Sequence, residues 1–357
     1  MMPHSFDEGN RRDARSGLSR PTKNILTQER ADQARKEPAA ESENYFDVAI
    51  IGGGFAGLSA ALMLSRYLIP TVLFDGGKPK NWNTNEVNGY LGLNGISPRE
   101  LIRRSWSEIS KYRIVNRVKS KVKSASEVPN RGIFSLQIED GSVFHSKYIV
   151  LATGVLDVKP LVKNFAKFEG SGIWQCPHCD GMETRGKKLS IIAKDVVGGI
   201  NYAKEFLGWT REISLFVHDA SAGHPRNETQ YVKEIDEARE LGIELVIDDP
   251  VEEIVESRGK LRGVRTLSGR SYDSDVLFYN LGTSPQNAIA IELGCELDQG
   301  CVKVNNEQKT SAPRVYAAGD IDTDRQYVAL ATAAGARAAI SIYEEMLKEA
   351  IKKIMTG

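Results

Sequence analysis

The run from Tyr45 to Gly57 constrains the fold of this chain more than any other. An apolar stretch, Tyr45 to Ile51, meets Gly52-Gly53-Gly54-Phe55-Ala56-Gly57, and a stretch rich in small apolar residues, Leu58 to Leu68, follows. This order predicts a strand, a tight turn and a helix. In Gly52-x-Gly54-x-x-Gly57 the first glycine allows the turn, the second lets the backbone approach a pyrophosphate, and the third lets helix and strand touch. Phosphates then sit at the helix N-terminus. A second apolar run, Thr71 to Phe74, ends at Asp75, 23 residues after Gly52, where a carboxylate accepts hydrogen bonds from a ribose diol. The first unit is therefore expected to bind a dinucleotide. Its candidate contacts are Gly52, Gly54, Phe55, Ala56, Gly57, Asp75 and Gly76, joined by Thr153 and Gly154 at the end of the strand Lys147 to Ala152.

The remainder of the chain repeats this pattern. Lys188 to Ala193, Gly198 to Trp209 and Glu212 to Val217 read as strand, helix and strand; strands at Val276 to Tyr279 and Arg314 to Ala317 and a helix at Leu330 to Lys352 follow. The expected fold class is α/β, with two doubly wound, three-layer dinucleotide-binding domains. The expected boundaries are an arm over 1–44, a first domain built from 45–158 and 282–357, and a second domain, 159–281, inserted between those segments. The arm carries eight basic and eight acidic residues with few apolar ones, a composition expected to stay disordered. A short helix across Ile25 to Lys36 is conceivable on a partner. Its acids, Asp7, Glu8, Asp13, Glu29, Asp32 and Glu37, argue against a transit peptide, and its lack of an apolar run argues against a signal peptide.

Charge and cysteine content narrow the functional classes. The 47 Lys and Arg balance the 47 Asp and Glu across 357 residues, so nothing calls for nucleic acid or an anionic membrane. No apolar run approaches the roughly 18 residues of a membrane span. Four cysteines are too few for a disulfide scaffold, and Cys176-x-x-Cys179 within an α/β pattern fits a redox protein of a reducing, cytoplasmic compartment. Two residues between thiols let them close a small ring, and such pairs lower one thiol pKa, which supplies the thiolate that exchange needs. A zinc site is disfavoured, because Cys295 and Cys301 lie more than a hundred residues away with no nearby histidine; no metal is expected, and those two cysteines read as structural. His178, between the redox pair, either favours the thiolate or simply faces solvent.

Taken together, Cys176-Pro177-His178-Cys179-Asp180-Gly181, the first glycine-rich turn, and Val315-Tyr316-Ala317-Ala318-Gly319-Asp320 before Thr332-Ala333-Ala334-Gly335 resemble the low-molecular-weight thioredoxin reductases. The resemblance implies an enzyme with FAD as cofactor and Gly319 and Asp320 among its contacts. It further implies Cys179 as the thiol nearer the flavin, Cys176 as the thiol that attacks a substrate disulfide, and Asp180 as acid and base for the thiols. Thioredoxin or a small disulfide is the implied substrate, and a homodimer the implied assembly. Trp82 in Asn81-Trp82-Asn83 and the histidine of the pair are also similar to relatives that oxidise or reduce small dithiols.

Two positions depart from that family. The Arg-Gln pair placed before the last helix aligns with Val328-Ala329, while Arg325-Gln326 lie three residues earlier. In the second domain the turn reads Ala193-Lys194-Asp195-Val196-Val197-Gly198-Gly199, with Ala193 and Asp195 in place of glycines, and Asp195 is expected to repel a pyrophosphate. The next strand ends at Val217-His218-Asp219-Ala220, without arginines for a ribose phosphate; Arg226 is the first to follow. The electron donor stays open between NADPH, NADH with Asp219 on its ribose, and ferredoxin. A non-catalytic redox sensor is the competing class.

Overall fold

The structure, a computed structural model, describes residues 26, 44–218 and 228–356. The expected arm lies outside the described residues apart from Leu26 and Asn44, and so do Asp219 and Arg226. Residues 44–343 form one compact unit, to which the following account belongs.

The opening run is β1 (Tyr45–Ile51), α1 (Phe55–Arg66) and β2 (Thr71–Phe74). β1 and β2 are parallel, with Ile51 level with Phe74, so Gly52 and Asp75 leave the same sheet edge. Next comes α2 (Pro98–Ile109), started by the Ser97 hydroxyl, which accepts from the Glu100 N–H at 3.2 Å. It delivers β3 (Val115–Val118) alongside β2. The chain then makes an antiparallel meander of β4 (Val122–Val128), β5 (Ile133–Ile138) and β6 (Val143–Leu151). β6 is the long strand of the sheet. Its first part pairs with β5, and β1 runs parallel to it on the other side.

β7 (Val155–Asp157) leaves this sheet, and α3 (Phe165–Phe168), β8 (Ile173–Trp174) and α4 (Pro177–Asp180) lead to β9 (Leu189–Ala193). α5 (Val196–Lys204), β10 (Ile213–Val217), α6 (Glu228–Glu240) and β11 (Glu244–Val246) follow. A three-stranded antiparallel sheet, β12 (Val251–Ser257), β13 (Lys260–Thr266) and β14 (Ser271–Asp273), precedes β15 (Val276–Asn280). The second parallel sheet has the order β11-β10-β9-β15-β8. Both of its faces are covered, and the alternation of β9 shows how. Leu189 and Ile191 pack with Ile200 and Phe206 around α5, while Ile192 packs with Ile254 and Val264 of the small sheet. A strand buried on both faces reads as a continuous apolar run, which is why β9 and β15 were visible in the sequence.

β16 (Thr283–Pro285) pairs antiparallel with β7, so the outgoing and returning chain form a two-stranded ribbon. α7 (Ala288–Glu292), β17 (Leu297–Asp298), β18 (Cys301–Val302), β19 (Val315–Ala317) and α8 (Val328–Thr356) complete the element order, and β19 returns to the first sheet beside the last residues of β6. The α/β class is as expected, with a first sheet that is parallel on one side of β6 and antiparallel in its β4–β6 meander, and a second that is parallel throughout. Both ends of α5 and of α8 shift, from 198–209 to Val196–Lys204 and from 330–352 to Val328–Thr356. α8 begins at Val328, and α5 stops at Lys204 rather than near Trp209, because bonds from Phe206 N–H to Ala203 and from Leu207 N–H to Lys204 tighten the chain into 3₁₀-type turns. Among the described residues no helix is long and apolar enough to cross a membrane.

Candidate functional site

At the first turn Gly52 has φ +120°, and a Cβ there would lie 2.1 Å from the Ala152 carbonyl oxygen. No other residue type fits without moving the β6 end. Gly54 differs: a Cβ on it would meet nothing within 4 Å, so the backbone at the start of α1 opens into free space. That space is one end of a cavity of about 1840 Å³ lined by Gly52, Gly54, Phe55, Ala56, Asp75, Gly76, Thr153, Gly154, Gly319 and Asp320. The structure thus brings the expected residues of the first nucleotide site to one cavity except Gly57, which packs under the turn, where a Cβ on it would lie 1.9 Å from the Gly52 carbonyl oxygen. Thr153 and Gly154 line the cavity but are also spent on structure. The Thr153 hydroxyl donates to the Gln286 carbonyl at 2.6 Å, and the Gly154 carbonyl accepts the Gln286 N–H at 3.0 Å.

Asp75 carries a partner that sequence reading missed. Arg117, on β3, donates from Nε to Asp75 Oδ2 at 3.0 Å, and its guanidinium lies 4.9 Å from the centre of the Trp106 ring. The carboxylate Oδ1 faces the turn at Gly53. One oxygen is thereby committed to the fold and the other is directed at the turn. An arginine level with the end of β2, one strand further along the sheet, was the available signal.

Also lining the cavity, Asp320 follows the positive-φ Gly319, whose Cβ position would lie 2.8 Å from the Ala56 Cβ of α1. Burial pushes its carboxyl up to about 6, with Lys80 opposing that rise, and among the described residues no protein side chain hydrogen-bonds it. Lys80 itself bridges Asp157 of β7 at 2.9 Å and donates to the Gln326 side chain. The displaced Arg325-Gln326 pair therefore still borders the cavity, together with Val328 and Ala329, but Gln326 is held by Lys80. An open glycine cradle, a carboxylate oxygen facing the turn and a half-buried carboxylate without a side-chain partner are the donor and acceptor set that FAD requires, and the residues present fit that group.

The same cavity reaches Cys176 and Cys179, which form a disulfide with Cα atoms 5.3 Å apart. α4 begins here: Pro177 takes the first helical position, and the Cys179 N–H donates to Cys176 Sγ at 3.1 Å. The next glycine, Gly181, is required by close approach, since a Cβ on it would sit 2.6 Å from the Trp209 ring. Asp180 is buried, accepts from Asn88 Nδ2 at 3.3 Å, and is pushed up to about 7 by that burial, the Asn88 bond opposing. A carboxyl that titrates near neutrality can both give and take a proton. His178 points elsewhere: its Nε2 lies 3.3 Å from Glu205 Oε2, and its ring is 5.9 Å from that of Tyr327. Cys295 is buried, and burial raises both its thiol and that of Cys301, which holds them protonated and agrees with the structural reading.

The second turn is built otherwise. Asp195 is the N-cap of α5, and its Oδ1 accepts the Gly198 N–H at 2.8 Å. Ala193, at the strand end, is buried, and a Cβ on Gly199 would approach its Cβ to 2.7 Å. The carboxylate therefore stands where a pyrophosphate oxygen would accept. Repulsion of phosphate was expected from the residue type; occupation of the amide by the same side chain is an added finding, foreshadowed by the preference of Asp for N-caps.

Comparison with known proteins agrees with this arrangement. The family model for pyridine nucleotide-disulphide oxidoreductase matches residues 46–338. The thioredoxin reductase tcpT of Claviceps purpurea is 29% identical over 283 residues, covering 78% of this chain and 87% of its own. The thioredoxin reductase of Bacillus subtilis is 26% identical over 325 residues, covering 87% and 99%. Among solved structures, a putative thioredoxin reductase TrxB from Bacillus anthracis superimposes with a TM-score of 0.77 at 25% identity, covering 85% of this chain and 99% of that one. With the family model matching residues 46–338 and relatives of this name covering most of the chain, the chain belongs to the pyridine nucleotide-disulphide oxidoreductase family, as a thioredoxin reductase-like enzyme.

Proposed function

We propose that this enzyme cycles the Cys176–Cys179 disulfide against a thiol or disulfide of a second molecule, with FAD held along the first turn. One observation carries the reading: the disulfide, the glycine cradle and Asp320 line a single cavity. When bound, FAD supplies two-electron exchange with a dithiol pair at its ring. The chain's own residues do the rest. Gly52, Gly54, Phe55, Ala56, Gly57, Asp75 and Gly76 hold the adenosine and phosphate end, and Thr153, Gly154, Gly319 and Asp320 the remainder. Cys176 faces the substrate sulfur, Cys179 is the inner thiol, and Asp180 holds the proton that a departing thiolate requires. Segments 45–158 and 282–357 act as the FAD lobe and 159–281 as the lobe bearing the pair, joined by the β7–β16 ribbon. Thioredoxin is the first substrate to test, because the relatives carry that name; small disulfides are the second. A cytoplasmic homodimer is the working assembly.

For the donor, the Asp195 cap favours a source other than a nicotinamide bound at α5, and a reduced ferredoxin is the leading alternative to NADPH or NADH. Stopped-flow mixing of the oxidised, flavin-loaded protein with each donor tests this. Bleaching by ferredoxin with none by either nicotinamide is the expected result, and thioredoxin-dependent turnover lost in Cys176→Ser is its companion. Rapid bleaching by NADPH overturns the donor assignment. Silence with all three donors overturns the catalytic reading and leaves a redox sensor.

A further inference from the structure

The loop from β2 to α2 touches the chain between β7 and α4 at three successive points. Lys80 bridges Asp157 at the end of β7. Asn83 Nδ2 donates to Glu169 Oε2 at 3.0 Å, and the Asn83 carbonyl comes so close to Gly170 that a Cβ there would lie 1.9 Å from its oxygen. Asn88 Nδ2 donates to Asp180 Oδ1 at 3.3 Å. Asn88 is fixed by its own loop before it makes that bond. Val87 is buried, its N–H donates to the Ile96 carbonyl at 2.8 Å, and its carbonyl accepts the Gly95 N–H at 2.9 Å. On the other side the Gly89 N–H donates to Asn94 Oδ1 at 2.8 Å. With the backbone pinned on both flanks, little freedom is left for the side chain to lose on bonding.

Among the described residues Asn88 is the one side chain that hydrogen-bonds the buried Asp180. The titratable groups that act on this carboxyl are Glu86 on the same loop, Glu183 in the turn after α4 and Tyr202 on α5, with no cation among them. An amide is the side chain that can face a carboxyl in either proton state: it donates from its nitrogen to the ionised form and, turned over, accepts on its oxygen from the protonated form. A lysine in its place would hold Asp180 ionised, and an apolar residue would hold it protonated. Resting on the reading that Asp180 serves the redox pair, we propose that Asn88 is a positioning residue for Asp180, keeping the carboxyl in one place in both proton states so that it gives a proton to the pair and takes it back. In the step concerned an outside thiolate, which is the reductant, attacks Cys176 Sγ. A new sulfur–sulfur bond forms, and the Cys176–Cys179 bond breaks with its electron pair left on Cys179. That thiolate takes the proton of Asp180, which becomes a carboxylate, and the reverse step returns it.

The test reads Asp180 directly. Flavin-loaded protein, isotope-labelled at the aspartate carboxyl carbons, is titrated by NMR from about pH 5 to about pH 9, and the signal lost in Asp180→Asn identifies the group. In the unaltered protein its midpoint lies at about 7. Asn88→Leu, close to asparagine in volume, displaces that midpoint upward by about one pH unit, Asn88→Lys displaces it downward by a similar amount, and Asn88→Gln, which keeps the amide, stays near the unaltered value. A residue that merely fills space would leave the Leu and Lys midpoints in place or move them the same way. Either of those results overturns the proposal. A second measurement follows the pair itself: the initial rate at which dithiothreitol reduces the disulfide, counted as alkylated thiols plus bleached flavin and divided by the reagent's thiolate concentration. That rate falls with rising pH along the Asp180 midpoint of each variant. Midpoints that move without the rates uphold Asn88 as the partner of Asp180 and overturn instead the assignment of Asp180 to the redox pair.

Discussion

The two glycine-rich turns occupy equivalent places, each after a buried parallel strand and before a helix, and they end in opposite states. At the first, Gly54 leaves open space at the start of α1, and the nearby carboxylate, Asp75, lies outside the turn with one oxygen held by Arg117 and the other facing Gly53. At the second, the carboxylate is inside the turn and accepts the Gly198 amide. The lesson is that a strand-turn-helix unit is stable with either occupant. What makes a turn a nucleotide site is an unsatisfied amide cradle, and one aspartate at the cap position removes it.

The largest effect should come from trying to close the first turn. Gly52→Val forces a side chain into a positive-φ position against the Ala152 carbonyl and is expected to cost on the order of 3–5 kcal/mol, with loss of flavin colour. Ala193→Gly, the reverse change in the second turn, should cost about 1 kcal/mol. Thermal melts and flavin-to-protein absorbance of both variants measure the contrast, and similar losses in the two would break it.

Next in size is Asp320. Its carboxyl is raised to about 6 in the folded protein, mainly by burial. The folded state therefore holds the proton more tightly than the unfolded chain, whose carboxyl titrates near about 3.9. Stability from this group is complete below about pH 4 and is lost as pH rises through about 6, a difference of order 2–3 kcal/mol. Asp320→Asn should accordingly melt higher than the unaltered flavin-free protein near pH 8 while retaining flavin less well through purification. A variant that keeps all its flavin would remove Asp320 from the site.

The smallest effect sharpens the comparison most directly. Asp195→Ala should destabilise by about 1 kcal/mol through loss of the cap, and it frees the amide. Titration with NADPH then separates two causes. Binding that appears in the variant identifies the carboxylate as the barrier, whereas continued absence assigns the closure to Ala193 and the wider pocket as well.

Much of this arrangement was legible in the chain. Gly52, Gly54 and Asp75 lie within one strand-turn-helix-strand unit, and β1, β2, β9 and β15 announce themselves as apolar runs because both faces of their sheets are covered. Within the meander only the end of β6 was singled out, as the run Lys147 to Ala152; β4, β5 and the sheet β12–β14 were not. Their strands alternate exposed and buried residues, as in Val122–Val128 and Lys260–Thr266, and expose polar groups that read like loop. In the site, Cys176, Cys179 and Asp180 were readable as a motif, and Asp195 as a replacement. Arg117, Lys80 and Glu205 were not, because each acts on a partner far along the chain; Lys80 and Gln326 are 246 residues apart.

By itself the sequence determined the local pieces: which turn can approach a phosphate, where two thiols can close a ring, and where glycines are missing. These follow from backbone sterics and residue type within a few positions. The tertiary structure alone decided which carboxyls are buried enough to titrate near neutrality, which cation faces which anion, and that the cradle and the disulfide share one cavity. Desolvation and Coulomb interactions depend on distances between atoms brought together by folding, and the order of residues along the chain does not contain those distances.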